Sequence, residues 1–220
     1  MTRDPYASLK QGLVGCWIPS VSGSGLLLPD QSGRGNHGTL TNMGPEDWVS
    51  SGSGRALDFD GVDDRIVASG NTSFANGVVS VSGWMRRTGT AGVNNAVVFS
   101  KGTLEGNANS TCALYWNESL GWSWFIVDAA NNLTIIRSNT VTSQSQWVHV
   151  GGIASPAGVF LYLNGVLANS TTTAAVKNST HESFIGGASV GGGNFASLLG
   201  QADDVRAYNR ALTEPEIKLL

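Results

Sequence analysis

Turn-forming residues recur along this chain so often that no regular element can run far, and this limits the fold more than any other feature. The clearest turn is Asn164-Gly165, whose two residues accept the positive φ angles of a tight type I′ hairpin. Pro156-Ala157-Gly158, Ala129-Ala130-Asn131-Asn132 and Gly61 punctuate the chain in the same way. Between such turns lie short runs rich in β-branched and aromatic residues: Gly12 to Ile18, Arg55 to Asp60, Val78 to Arg86, Val97 to Ser100, Cys112 to Trp116, Gly121 to Val127, Leu133 to Arg137, Trp147 to Ile153 and Val159 to Leu163. The run at Arg55 alternates, with Leu57 and Phe59 on one face and Asp58 and Asp60 on the other, as a half-buried strand does. About twelve to fourteen such strands, with turns roughly every 8–12 residues, are the spacing of a two-sheet sandwich.

Composition agrees. The 220 residues include 29 glycines, and only 13% are charged, with four lysines and six glutamates, which is poor material for long helices. A hydrophobic share of 41%, with seven tryptophans and seven phenylalanines, can fill a sizeable core. The expected fold class is therefore all-β, a two-sheet antiparallel sandwich in a single domain. No linker or internal repeat divides it, so residues 1–11 are read as an N-terminal arm and 12–220 as the domain.

The same numbers exclude whole classes of partner. Net charge is -3 and Arg86-Arg87 is the densest basic spot, which argues against nucleic acid. No apolar run approaches the roughly 18 residues of a membrane span, so no membrane insertion is expected. The opening Met1-Thr2-Arg3-Asp4-Pro5-Tyr6 lacks the apolar pattern of a secretory leader, and standard secretion is not expected. Two cysteines, Cys16 and Cys112, make no disulfide framework; they are read as buried strand thiols, with a bridge between them left open.

Near the end, Gly200-Gln201-Ala202-Asp203-Asp204-Val205-Arg206-Ala207-Tyr208 reads as a last strand. Thr213-Glu214-Pro215-Glu216 then reads as a capped helical turn, with a capping threonine, a proline where no donor is needed and a glutamate three residues after the cap.

This closing segment strongly resembles the ending of laminin G-like, concanavalin A-like jelly-roll domains. Other blocks are similar to that family in its order. They are Gly12-Leu13-Val14-Gly15-Cys16-Trp17, the loop Asp30-Gln31-Ser32-Gly33-Arg34-Gly35-Asn36-His37-Gly38, Phe59-Asp60-Gly61, Ser82-Gly83-Trp84, Phe99-Ser100-Lys101-Gly102, Trp147-Val148-His149-Val150 and Leu161-Tyr162-Leu163-Asn164-Gly165. The resemblance covers the chain from about Gly12 to Leu220. It implies a jelly roll, and leaves function open, because one sandwich hosts lectins, adhesion modules, hydrolases and structural pieces.

Calcium takes six to eight hard oxygens on a bent loop, and the loop from Asp30 to Gly38 offers carboxylate, amide and carbonyl oxygens. The resemblance implies a structural cation near it. Carried over residue by residue, the expected calcium ligands are Asp30, Asn36 and Asp203, and the ion would staple the two chain ends. The other reading of the loop is that Asp30 and Ser32 cap a turn by bonding their own backbone. Asp58, Asp60, Asp63 and Asp64 form a second acidic group, flanked by Arg55 and Arg65, read chiefly as a solvated turn.

Glycan hydrolysis needs two carboxyls flanking the bond, and hydrolases that the fold resembles carry them as Glu-x-Asp-x-Glu. This chain has no such triplet, so it is read as not an enzyme. His37, His149 and His181 show no zinc spacing. Trp116, Trp122 and Trp124 cluster around one hairpin, where an exposed indole could stack on a sugar ring. The expected ligand groove is Tyr115, Trp116, Asn117 and Trp122, with burial in the core as the competing fate of those tryptophans.

The expected function is a non-catalytic binding or adhesion module, placed on a virion surface as a decoration, spike or fibre component that attaches to cell-surface glycan. Extracellular export by a non-standard route is the alternative setting. A structural clamp that binds other virion or assembly proteins without recognising sugar is the rival, and a glycan hydrolase a distant third. A homo-oligomer is compatible with each.

Overall fold

The computed structural model describes residues 6–220 except 53, 69–71, 75–76, 90–94, 141, 173–174 and 192–193. A 3-10 turn at Ala7–Lys10 leads into β1 (Leu13–Trp17), β2 (Leu27–Leu28), β3 (Gly38–Thr41), β4 (Trp48–Ser50), β5 (Arg55–Asp60) and β6 (Arg65–Ala68). There follow β7 (Val79–Arg87), β8 (Asn95–Gly102), β9 (Ser110–Asn117), β10 (Gly121–Val127), β11 (Leu133–Arg137) and β12 (Trp147–Ser155). The chain closes with β13 (Gly158–Leu163), β14 (Val166–Thr171), β15 (Ser183–Ser189), β16 (Phe195–Ser197), β17 (Leu199–Tyr208) and the helical turn α1 (Glu214–Ile217).

The strands form two antiparallel sheets. The first has eight strands in the order β14-β13-β12-β7-β17-β5-β4, with β1 also pairing β17. The second has nine, in the order β11-β10-β9-β8-β15-β6-β3-β2, with β16 pairing β15. This is the all-β sandwich that the turn spacing predicts. The hairpin at Asn164-Gly165 joins β13 to β14 with φ of 48° and 77°, both in the left-handed region that Asn and Gly tolerate. Three short strands, β2, β4 and β16, were not foreseen. β2 and β4 lie in stretches read as loops, because two or three residues carry too little alternation to reveal a strand.

The sheets face each other across one large core built from Val79, Val81 and Met85 of β7, Val148 and Val150 of β12, and Leu114, Trp116, Trp122 and Trp124 of β9 and β10. Gly152 lets the Trp124 indole rest on the backbone, since a Cβ there would lie 2.4 Å from the ring. Both cysteines are free and buried; the bridge left open is not made.

A second cluster lies on the outer side of the first sheet. Leu9, Ile153, Tyr162, Tyr208, Leu212 and Ile217 pack there, so the turns at both ends of the described chain share one apolar patch. Arg210 locks it. Its guanidinium donates to both Glu216 oxygens at 2.8 Å and to the carbonyls of Ser8 and Gln11 at 2.7 Å. The Glu216 carboxylate also accepts the Thr213 N–H at 2.9 Å, the reach-back expected of the capped turn. Residues 1–5 of the expected arm lie outside the described residues; from Tyr6 onward the segment is docked.

Candidate functional site

Strand parity decides which side chains can meet a ligand. On β7, Val79, Val81 and Met85 point into the core, so Trp84 and Arg86 point out. On β12, Val148, Val150 and Ala154 point in, so Trp147 and His149 point out. The register sets His149 opposite Trp84, and Trp147 opposite Arg86. Trp84 and Trp147 are therefore diagonal neighbours on adjacent strands. Both are half-buried, and neither belongs to a buried cluster.

The two indoles form a ridge between two hollows, because both line each of them. The first hollow, of about 440 Å³, is completed by Ile18, Ser20, Asp203 and Asp204. The second, of about 390 Å³, is completed by His149, Asn164, Lys218 and Leu220, among others. The Trp84 Nε1–H donates to the Leu220 carbonyl at 3.1 Å, which fixes the plane of that indole. The Arg86 guanidinium lies 5.8 Å from the centre of the Trp147 ring.

A β-bulge shapes the first hollow. Pairing of β17 with β7 shifts between Asp203 and Arg206. Asp204 takes a φ of 46° there, a conformation that costs a non-glycine residue and is common beside functional sites. Its carboxylate is occupied by Arg206, whose Nη2 donates to Oδ2 at 2.8 Å. Asp203 Oδ1 accepts the Asp204 N–H at 2.7 Å, and among the described residues Oδ2 has no partner. Burial, helped by the Asp204 charge, pushes the Asp203 carboxyl up to about 6. Burial pushes the His149 imidazole down to about 4, so it is neutral at pH 7.

The groove expected at the β9–β10 hairpin is corrected. Trp116 and Trp122 are each 1% exposed and pack edge-on to one another inside the sandwich, so neither face is open to a sugar. Arg87 stacks over Trp116 at 3.9 Å and pairs with Glu118 at 3.0 Å, plugging that end of the core. Tyr115 points to the opposite side of the sheet, edge-on to Phe125. Asn117 ties its own hairpin, accepting the N–H groups of Ser119 and Leu120 at 3.0 Å each and donating to Asn95 at 2.9 Å.

The Asp30 loop behaves as the turn-capping reading describes. Asp30 Oδ1 accepts the N–H groups of Cys16 and Ser32 at 2.9 and 2.8 Å. Oδ2 accepts the Ser32 hydroxyl at 2.7 Å and the Asn36 N–H at 2.9 Å. Four donors aimed at one carboxylate do not fit a cation there. Asn36 is engaged too, donating to the Val14 carbonyl at 2.6 Å while its own carbonyl accepts the Trp17 indole N–H at 2.8 Å. The loop is stapled to β1 by hydrogen bonds. Asp203 meets the Trp84 ridge instead.

Among the described residues the acids that converge are Asp60, Asp63 and Asp64, whose oxygens lie within 4.8 Å of one another at the turn from β5 to β6. Asp64 is buried and accepts the Asp60 N–H at 2.9 Å. Burial, reinforced by the charges of Asp60, Asp47 and Asp63, pushes its carboxyl up to about 6. Three hard oxygens in one turn fit a cation better than the Asp30 loop does.

Solved structures share this architecture. The binding domain of Paraclostridial Mosquitocidal Protein 1 matches 96% of the chain at 15% identity with a TM-score of 0.70. Domain 4 of AbnA, a GH43 extracellular arabinanase from Geobacillus stearothermophilus solved with arabinotriose, matches 94% of the chain at 16% identity and a TM-score of 0.70, over 96% of its own length. The ligand-binding domain of botulinum neurotoxin serotype D, solved with N-acetylneuraminic acid, matches 98% at 14% identity and 0.67. The chain spans 52% of each toxin structure. At these identities the likeness is one of fold. No curated protein sequence matches the chain. The sequence pattern of the family described as the concanavalin A-like lectin/glucanases superfamily does match, over residues 60–218. That stretch runs from the last residue of β5 through β17 to α1 and holds every strand of the ridge, and on it the chain belongs to the concanavalin A-like lectin/glucanase superfamily.

Proposed function

We propose that this domain is a non-catalytic carbohydrate-binding module whose ligand lies across Trp84 and Trp147. One observation carries the reading: two half-buried indoles stand on adjacent strands as a ridge between two hollows. Indoles offer a flat apolar face with a polar tip, and pockets that fix small ligands combine such faces with a few polar groups. Asp203, Asn164 and Ser20 are the polar groups here. The sugar-bound AbnA domain and the sialic acid-bound toxin domain support the class of ligand by likeness of fold. A glycan array with wild type and Trp147→Ala tests it. Signals that vanish in the variant are expected; equal signals from both would move the ligand elsewhere.

Calcium belongs to the proposal as a structural ion, now at the turn of Asp60, Asp63 and Asp64. A virion surface is the proposed setting, on the sequence reading alone. Antibody labelling of purified particles that failed to show the domain would remove it.

The clamp reading is favoured by β14. This edge strand carries no charged residue and exposes Val166 and Leu167, a face open to another protein chain. A monomer at every concentration, with no partner protein retained, would exclude it.

A further inference from the structure

The two hollows beside the ridge differ in charge, and that difference restricts the ligand. In the first, Asp204 is neutralised by Arg206, while among the described residues Asp203 keeps a free oxygen and no cationic partner. In the second, Lys218 is paired with Glu214, and His149 and Asn164 are neutral at pH 7. Arg86 lies beside Trp147 but lines neither hollow. Among the side chains that line the two hollows, the unpaired formal charge is thus the Asp203 carboxylate, which lines the first.

We infer that the ridge selects uncharged oligosaccharides of two or more rings, with Asp203 accepting a hydroxyl in one hollow and a second ring lying in the other, and that it rejects sugars bearing a carboxylate. The inference rests on the carbohydrate-binding reading above and narrows it. A sugar hydroxyl is a neutral donor, and a charge-assisted bond to a carboxylate is among the stronger ones available. A uronic or sialic acid would bring a second carboxylate against Asp203 in a partly dehydrated hollow, where like charges cost most. A single ring can fill one hollow and cover half of the ridge; two rings are needed to use both indoles.

The test uses pairs of the same linkage and length that differ in the carboxylate: galactotriose against trigalacturonate, mannotriose against trimannuronate, and the carboxamide of sialyllactose against sialyllactose. Each is titrated calorimetrically into the wild-type domain near pH 7.5. The expected result is binding to at least one neutral oligosaccharide, with its acidic counterpart weaker by about tenfold or more, the penalty of a like-charge contact. The parent monosaccharide should also be weaker by about tenfold, through loss of one anchored ring. Asp203→Asn should narrow the gap between neutral and acidic members, with the fold checked by its melting curve.

Acidic oligosaccharides that bind as tightly as neutral ones, or monosaccharides that match the trisaccharides, overturn this inference and leave the carbohydrate-binding reading standing. Neutral binding that survives Trp147→Ala unchanged overturns the ridge itself. Binding of no member of any pair removes both. The wild-type comparison needs no variant to fold, so a misfolded Asp203→Asn would still leave the selectivity measured.

Discussion

The domain holds two pairs of tryptophans with opposite fates. Trp116 and Trp122, on β9 and β10, meet edge-on in the core at 1% exposure each. Trp84 and Trp147, on β7 and β12, stand half-buried on the outer side of the first sheet with a hollow on either side. Residue type is the same and so is local secondary structure. What differs is the company each keeps on its own strand. Trp116 shares parity with Cys112 and Leu114, and Trp122 with Trp124 and Ile126, which are apolar residues of the inter-sheet core. Trp84 shares parity with Ser80, Ser82 and Arg86, and Trp147 with His149 and Gly151. A tryptophan in step with polar residues is the one that faces out.

The sharpest way to break this comparison is to delete one ring from each pair. Trp122→Ala removes a fully buried indole, and is expected to cost about 3–5 kcal/mol of stability, the usual loss when a large core aromatic is emptied. Denaturant melts measure it. Protein that still folds in the cold should keep its glycan affinity. Trp147→Ala should do the reverse, with a small change in melting and a loss of affinity near thirtyfold, equivalent to about 2 kcal/mol for a binding hot spot. If Trp122→Ala abolished binding in folded protein, or Trp147→Ala unfolded the domain, the assignment of roles would be inverted.

Much of the fold was legible, and the pairs show where legibility stopped. Turn chemistry at Asn164-Gly165 and alternation at Arg55–Asp60 are local, and both elements form as read. The capped turn at Thr213 is equally local, and its Glu216 makes the expected reach-back. The proposed binding face is not local. It forms because β7 lies between β12 and β17, strands more than sixty residues further along, so Trp84, Trp147 and Asp203 become neighbours only after the sheet assembles. Period two places Trp122 and Trp124 on one face, yet cannot say whether that face is covered. On β10 both are: every residue from Gly121 to Val127 is buried, because Phe125 and Val127 pack with Ala113 under Leu104 on the far side. Asp30 misled in another way. An aspartate in a glycine-rich loop suits a cation and a turn cap equally well, and only the positions of Cys16, Ser32 and Asn36 decide between them.

A second comparison sets the ends of the chain against the ridge. The turns at Ala7–Lys10 and Glu214–Ile217 are held by Arg210, whose charged bonds are only partly exposed. Arg210→Ala is expected to cost about 1.5–3 kcal/mol, the range for hydrogen bonds to charged groups. Its effect should be confined to stability. Hydrogen exchange should speed up around Leu9 and Ile217 and stay unchanged in β7. A loss of affinity comparable with that of Trp147→Ala would mean that the closing turn, through Lys218 and Leu220, builds the second hollow more than the sheet does.

The smallest effects are those of pH, and here the two regions oppose each other. Arg210 holds Glu216 down to about 2, so its contribution is fully present above the ordinary glutamate value and is lost as acid approaches pH 2. Asp64 and Asp203 behave in the opposite sense. Burial raises both to about 6, the folded state then binds protons more tightly than the unfolded one, and stability falls as pH rises from about 4 to 6. His149, pushed down to about 4, loses stability on acidification through the same interval and partly cancels them. Asp64→Asn separates the terms. The variant should melt higher than wild type at pH 7, where a buried like charge is relieved, and the gain should vanish by about pH 4, where wild-type Asp64 is protonated. Calcium adds the last discrimination. A cation held by Asp60, Asp63 and Asp64 would raise the wild-type melting temperature at pH 7 and leave Asp64→Asn unmoved. Equal response of the two proteins would return the three carboxylates to water and leave the Asp30 hydrogen bonds as the fastening between the first loop and β1.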